Sequence, residues 1–275
     1  RKNSSDKIRK QIALAKKFCK AQGFYGAESY IQGFSGYGLE CLIIYYKSFE
    51  KMLKDLIKLR EGEKKIIDIK KFYKNKNEIF LRINEAKLQG PVVLVDPTWK
   101  DRNVLSAVSF ETFRKFQERA KDFLKRPSEE YFYNKEFDSS VLMKNKGEFV
   151  KIILETDRQE GDIAGTKMKK FSRYLEEEIK KYFEVLGREF IYVGGRTGEF
   201  YVSAKSRKEI VKQGPEKKDL KNVKRFKAKN KKVFEKNGRF FSLEKIDFSL
   251  FEFLSKLKKK DFRNMGIVSF SLTRN

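Results

Sequence analysis

Between Tyr30 and Cys41 the chain reads YIQGFSGYGLEC, where Gly33, Gly36 and Gly38 alternate with Phe34, Ser35 and Tyr37. Glycines at this spacing let a backbone turn sharply, and let a second backbone or a phosphate come close. The apolar run Leu39–Tyr46 follows at once, so the loop feeds a helix N-terminus, where free N–H groups favour anions. A loop that needs glycine only for packing is the other reading, because the pattern is neither a P-loop nor a GxGxxG. Arg102 is a second candidate. It follows a strand-ending Asp-Pro and lies between Asp101 and Asn103, ahead of a helix. Its guanidinium could read a base edge or a phosphate bidentately, or close a loop salt bridge with Asp96 or Asp101. Taken alone, the residue pattern favours the salt bridge. The third cluster runs from Lys205 to Arg239, with 15 Lys/Arg against 4 Asp/Glu and with Phe226, Phe234, Phe240 and Phe241 interleaved. Within it, Lys217, Lys218, Lys221, Lys224, Arg225, Lys227, Lys229, Lys231 and Lys232 are the candidate RNA-binding cations. Such a surface grips phosphates by counterion release, with strong salt dependence and little sequence preference.

The missing residue types are as informative. The chain has no histidine, which excludes His-based acid–base work, Ser-His-Asp triads and most zinc sites within it. Phosphoryl and nucleotidyl transfer need clustered carboxylates to hold Mg²⁺. No DxD occurs, and Glu61-x-Glu63 and Glu160-x-Asp162 fall in expected turns. GxSxG, HExxH and Walker motifs are absent. Cys19 and Cys41 fit no metal or disulfide framework and read as small core residues in a reducing compartment. On its own, this chain reads as a binding and scaffolding unit with no metal ligands.

The net charge of +26, from 64 Lys+Arg and 38 Asp+Glu, predicts a polyanionic partner. A run of 18 apolar residues, a signal peptide and a lipidation motif are all lacking, so nucleic acid is expected rather than a membrane. With 275 residues and 40% hydrophobic content, two domains with sizeable cores are expected. We place them at 1–137 and 138–275, divided at the polar patch near Asp138–Lys146.

In the first, Ile8, Ile12, Ala15 and Cys19 recur at helical spacing behind Ser4 or Ser5 as N-cap. A second helix is expected from about Leu39 to Leu59, and a third after Ser109. The segments 65–72 and 79–83 are weak strand or helix candidates, and Pro91–Pro97 is a buried strand. In the second, strand Phe149–Asp157, a long helix through Met168 to Leu186 and a hairpin of Phe190–Gly195 with Glu199–Ala204 come first. A basic helix at Lys221–Phe234 and a strand at Arg239–Ile246 complete a β-α-β-β-α-β order. The predicted class is α+β: a helical domain followed by a ferredoxin-like body with a basic tail. A last helix, Leu250–Leu257, and a strand, Gly266–Leu272, finish the chain.

Three separated motifs, KKFCKAQGFYGAESYIQGFSGYGLECLIIYYKSF (Lys16–Phe49), VDPTWKDRNVLSAVS (Val95–Ser109) and FLKRPS (Phe123–Ser128), together resemble the archaeal, class I CCA-adding enzymes. These tRNA nucleotidyltransferases build the 3′-terminal CCA of tRNA from CTP and ATP. A weaker likeness continues through GDIAGTKMKKFSRYLEEEI and GPEKKDLKNVKRF to KNGRFF. The resemblance implies a helical central, substrate-binding domain, then body and tail domains that grip the tRNA acceptor–TΨC arm in the cytoplasm. The family's catalytic head, with its GS loop, a histidine and three carboxylates for Mg²⁺, is expected upstream of Arg1 or on a second subunit. By position, Lys16 resembles the family lysine on the nucleotide triphosphate, and Tyr25 the tyrosine of that pocket. Arg102, in DRN, resembles the arginine that reads the incoming base as C or A. Gly38 departs from the family, which usually carries a bulky residue there. The rival expectation is a stand-alone, non-catalytic RNA-binding protein that keeps the fold.

Overall fold

The computed structural model describes residues 2–134, 137–258 and 260–274. The chain divides into two compact units, Arg1–Phe137 and Asp138–Asn275. Both mix helices with sheet, and the second carries two antiparallel sheets, compatible with the expected α+β class.

The first unit is built on helices α1 (Lys2–Ala21), α2 (Gly36–Tyr46), α3 (Phe49–Leu56) and α5 (Phe110–Lys125). They enclose an aromatic core. Phe18 is fully buried and contacts the rings of Phe49, Phe116, Phe123, Tyr131 and Phe132 at centroid distances of 5.5–6.5 Å. Cys19 and Cys41 are free and buried in the same core, where desolvation pushes both thiols up. Beside it, β1 (Lys65–Asp68) pairs in parallel with β2 (Val92–Val95), and α4 (Lys76–Arg82) lies between them in sequence. Every residue of β2 is buried, as an unbroken apolar run demands.

The expected single helix from Leu39 to Leu59 is two. Lys47 takes a left-handed conformation (φ 62°) that ends α2, and Ser48 then caps α3 by accepting from the Lys51 N–H. Helix α1 already runs through Ser4 and Ser5, so neither is its cap. Ser109 does cap α5, its Oγ accepting from the Thr112 N–H at 3.2 Å.

The second unit opens with the short helix α6 (Ser140–Met143). Strands β3 (Glu148–Glu155), β4 (Phe183–Ile191), β5 (Thr197–Ser206) and β9 (Ser269–Arg274) form an antiparallel sheet in the order β4-β5-β3-β9. Helix α7 (Asp162–Lys180) connects β3 to β4, and α9 (Leu250–Leu257) precedes β9. Met168, Phe171, Leu175 and Ile179 of α7 bury their periodic stripe with Leu250, Leu254 and Leu257 of α9 and with alternate residues of β3. Between β5 and α9 comes a separate three-stranded sheet, ordered β6-β8-β7, from β6 (Glu209–Glu216), β7 (Lys232–Lys236) and β8 (Arg239–Lys245). Helix α8 (Leu220–Lys229) joins β6 to β7.

Two expectations are corrected here. The basic helix ends at Lys229, after which Lys232–Lys236 is strand. That helix and strand β8 belong to the inserted sheet, so the elements that close the four-stranded sheet are α9 and β9. Strand β6 was hidden in the sequence by Gly214-Pro215. The register shifts between Gln213 and Glu216, which lets the sheet accept a proline that lacks an N–H.

Candidate functional site

In the glycine-rich segment, packing and helix entry turn out to be one design. Residues 24–34 close on themselves: Gly26 donates to the Phe34 carbonyl and Phe34 donates to the Phe24 carbonyl, at 2.9 and 2.7 Å. A Cβ on Gly33 would sit 2.1 Å from the Phe24 carbonyl oxygen, so only glycine permits this closure. Ser35 then caps α2 by accepting from the Gly38 N–H at 3.0 Å, and its hydroxyl donates to the Val104 carbonyl at 3.3 Å. A Cβ on Gly38 would lie 2.5 Å from Leu105 Cδ2. The absence of a bulky residue at 38 therefore lets α2 press directly on the 104–105 segment.

Of the three sequence-predicted nucleotide residues, Lys16 and Tyr25 reach the N-terminal part of α2 directly, and Arg102 is linked to it only through Asp96 and Tyr37. Lys16 projects from α1 to within 2.6 Å of Glu40 Oε1. The Tyr25 hydroxyl lies over Gly36, 2.7 Å from where a Cβ would be, with Lys16 Cε 3.8 Å from the same point. Lys20 stands over the Tyr25 ring, its Nζ 4.8 Å from the centroid. Arg102 arrives from the other side through an acid. Its Nη1 is 3.6 Å from Asp96 Oδ2, while Asp96 Oδ1 accepts from the Tyr37 hydroxyl at 2.9 Å. Gly36, Tyr37 and Glu40 fall within about 100° of helical arc. Lys16 and Tyr25 are thus neighbours, and Arg102 meets the same helix turn through Asp96 and Tyr37.

Asp96 is the buried pivot of this arrangement, with 1% exposure at the end of β2. Burial works against its charge. Hydrogen bonds from the Thr98 N–H (2.8 Å), the Thr98 hydroxyl (2.7 Å) and Tyr37, with the Arg102 charge nearby, outweigh that and hold its carboxyl below the usual range. The Arg102 side chain stays 54% exposed, so its remaining donors face solvent. Asp101 takes another partner, accepting from the Tyr73 hydroxyl at 3.1 Å. The sequence reading missed Glu40 and Tyr37. An acid directly after an all-apolar strand was the one signal that could have marked Asp96 as more than a loop charge.

The basic cluster is a different kind of surface. All nine sequence-predicted cations are exposed. Val223 is buried on α8, and Phe226 packs on Gly214 of β6. Helical geometry then turns Lys221, Lys224, Arg225 and Lys229 to the opposite, solvent side. Lys227 lies over the Phe240 ring at 4.5 Å. Lys217, Lys218 and Lys232 pair with Glu235, Glu216 and Glu209, at 2.9–3.4 Å. Exposed pairs of this kind contribute little and exchange readily for phosphates.

No three His, Cys, Asp or Glu side chains converge on a possible metal position among the described residues. The described residues of the chain therefore do not offer a donor set for Mg²⁺. None of its described helices is long and apolar enough to cross a membrane.

Residues 10–133 match the model of the second domain of tRNA nucleotidyltransferases, a range that contains Lys16, Tyr25 and Arg102. Over 98% of its length the chain is 27% identical to the CCA-adding enzyme of Methanocaldococcus jannaschii. The chain is thus similar to the archaeal CCA-adding enzymes, through its second-domain match and along almost its whole length. It is 35% identical to the CCA-adding enzyme of Saccharolobus islandicus over 62% of its length, and 32% identical to that of Thermococcus kodakarensis over 64%. It spans 61% of the length of the first of these CCA-adding enzymes, and 38% and 40% of the other two.

Proposed function

We propose that this chain is the tRNA- and nucleotide-positioning part of a CCA-adding tRNA nucleotidyltransferase, acting with a catalytic head that supplies the Mg²⁺-binding carboxylates. The observation that supports the reading is that Lys16 and Tyr25 stand over the start of α2, to which Arg102 is linked through Asp96 and Tyr37, inside the region matched to the family's second domain. CTP and ATP are the substrates, and the tRNA acceptor–TΨC arm is the partner, in the cytoplasm. Residues 1–137 act as the helical central domain and 138–275 as body and tail. The strand order β4-β5-β3-β9, with α7 and α9 in the two crossovers, supports a ferredoxin-like body that carries the β6-β8-β7 sheet as an insertion.

The residues divide the work by their settings. Lys16 neutralises triphosphate charge, with Glu40 holding the ammonium in place until a phosphate replaces that carboxylate. Tyr25 closes the pocket wall over Gly36. Arg102, anchored by Asp96, reads the base edge with the donors left free of that pair. The nine cations of the 217–232 region hold phosphates of the acceptor arm. Preorganised placement of this kind is the main help a protein gives such a reaction.

The test supplies labelled CTP and ATP to tRNA lacking CCA, with this chain, with a family head domain, and with both. Incorporation that requires both supports the proposal. Tight tRNA binding without incorporation under any condition would favour a stand-alone RNA-binding protein.

A further inference from the structure

The four phenylalanines of the basic region do not share one role. On the side of the three-stranded sheet covered by α8, Phe240 is buried beneath Lys227, Phe226 packs on Gly214, and the Ser242 hydroxyl donates to Asn230 Oδ1. That side is sealed. The other side is open. Cross-strand register sets Val211, Leu243 and Lys232 on one rung, and Gln213, Phe241 and Phe234 on the next rung of the same face. Phe234 and Phe241 stack at 5.7 Å with planes 22° apart. Phe241 therefore backs Phe234, of which 39% is left to solvent, and Val211 and Leu243 beside them are 59% and 36% exposed. Exposed apolar side chains gathered on one sheet face mark a binding surface.

The rim decides what binds. Lys245, Lys232, Lys236 and Arg239 occupy this face above and below the rings, and Glu209 and Glu216 are the acids among them. Glu209 pairs with Lys232 and Glu216 with Arg239, so the face keeps a net positive charge, and a second copy of the chain would bring like charge against like. An RNA strand brings phosphates to the rim and flat bases to the rings. Bases within a duplex are already stacked on one another, so only unpaired ones can lie on a protein ring. We infer that the open face of the β6-β8-β7 sheet, centred on Phe234 and Phe241, is a stacking platform for unpaired nucleobases of an RNA strand. The cations of α8 on the other side serve phosphates of any strand, and this face adds a preference for single-stranded segments. The inference needs RNA as a ligand but does not need the CCA-adding reaction, and its test reads binding alone.

The lone tryptophan, Trp99, is replaced first (Trp99→Phe), and the RNA affinity of that protein is the reference. Phe234→Trp in this background places a reporter on the platform. It is titrated with an unstructured 12-nucleotide RNA and with a blunt 12-base-pair RNA duplex. The single strand should quench the new tryptophan, and the duplex should leave it unchanged. Phe234→Ala should weaken single-strand binding on the order of tenfold, Phe234→Tyr should restore it, and duplex affinity should change less than twofold. Phe234 is part-exposed, so its variants should keep the parent melting temperature, checked by circular dichroism. No quenching at saturation, or equal loss for both RNAs, would overturn the inference. So would a concentration-dependent dimer in sedimentation that Phe234→Ala abolishes.

Discussion

The turn around Gly36 and the sheet around Phe234 both combine rings with cations, yet they are built in opposite ways. At Gly36 the cations are individually tethered, Lys16 to Glu40 and Arg102 to a buried Asp96, and just upstream the backbone at Gly33 fits so closely on the Phe24 carbonyl that glycine is required. On the small sheet, the cations are exposed on a helix face and the strands beneath it, and the acids that pair with them also lie at the surface, 36–45% exposed. The first arrangement loses little entropy on binding and fixes geometry, so it suits selection among small ligands. The second tolerates many strand paths and suits affinity that fades with salt.

That contrast breaks most visibly in stability. Phe18→Ala removes the ring at the centre of the first core and should cost about 3–5 kcal/mol, whereas Phe234→Ala should cost under about 1 kcal/mol. Urea unfolding of both variants measures the gap, and similar losses would erase the distinction between buried and surface rings.

Asp96→Asn should cost about 1–3 kcal/mol at neutral pH, because three donors and a guanidinium were arranged for a carboxylate. Since the folded carboxyl titrates below its ordinary value, its contribution is present above the unfolded pKa near 3.9 and disappears as pH falls through the lower, folded one. The gap between wild type and variant in urea midpoint should therefore narrow from pH 7 to pH 3. A constant gap would show that shape rather than charge matters at this position.

Replacing Lys221, Lys224, Arg225 and Lys229 together by alanine should make the log–log salt dependence of tRNA binding shallower by about 3. Arg102→Ala should leave that slope unchanged, and in the complete enzyme it should blur the choice between C and A more than it weakens tRNA binding. Unaltered nucleotide selectivity would remove Arg102 from the pocket. The smallest effect is expected at Glu40. Its pair with Lys16 is part-exposed, so Glu40→Gln should shift stability by under about 1 kcal/mol.

Much of the scaffold was legible because its signals are local. Ser109 before a run of spaced phenylalanines announced α5, and the β-forming residues of Phe149–Asp157 announced β3. The break at Lys47 was not legible, since a lysine in a left-handed turn leaves no mark in an apolar run. Strand β6 was masked by Gly-Pro, which ordinarily ends a strand and here sits at a register shift. Of the site, Lys16, Tyr25 and Arg102 came from motif resemblance, and the choice between Asp96 and Asp101 as the partner of Arg102 came only from coordinates.

Composition and periodicity by themselves determined that this chain is strongly basic and mixes helices with strands, and only its motifs carried the resemblance to one nucleotidyltransferase family. They also determined which helices and strands have an apolar side to bury. Tertiary structure alone decided that Lys16 meets Glu40, 24 residues away, that Tyr37 meets Asp96, 59 residues away, and that Phe234 and Phe241 share the sheet face opposite Phe240. Capping and amphipathic spacing act within a turn or two of the chain. Partners brought together across tens of residues are set by how whole elements pack, which no local pattern encodes.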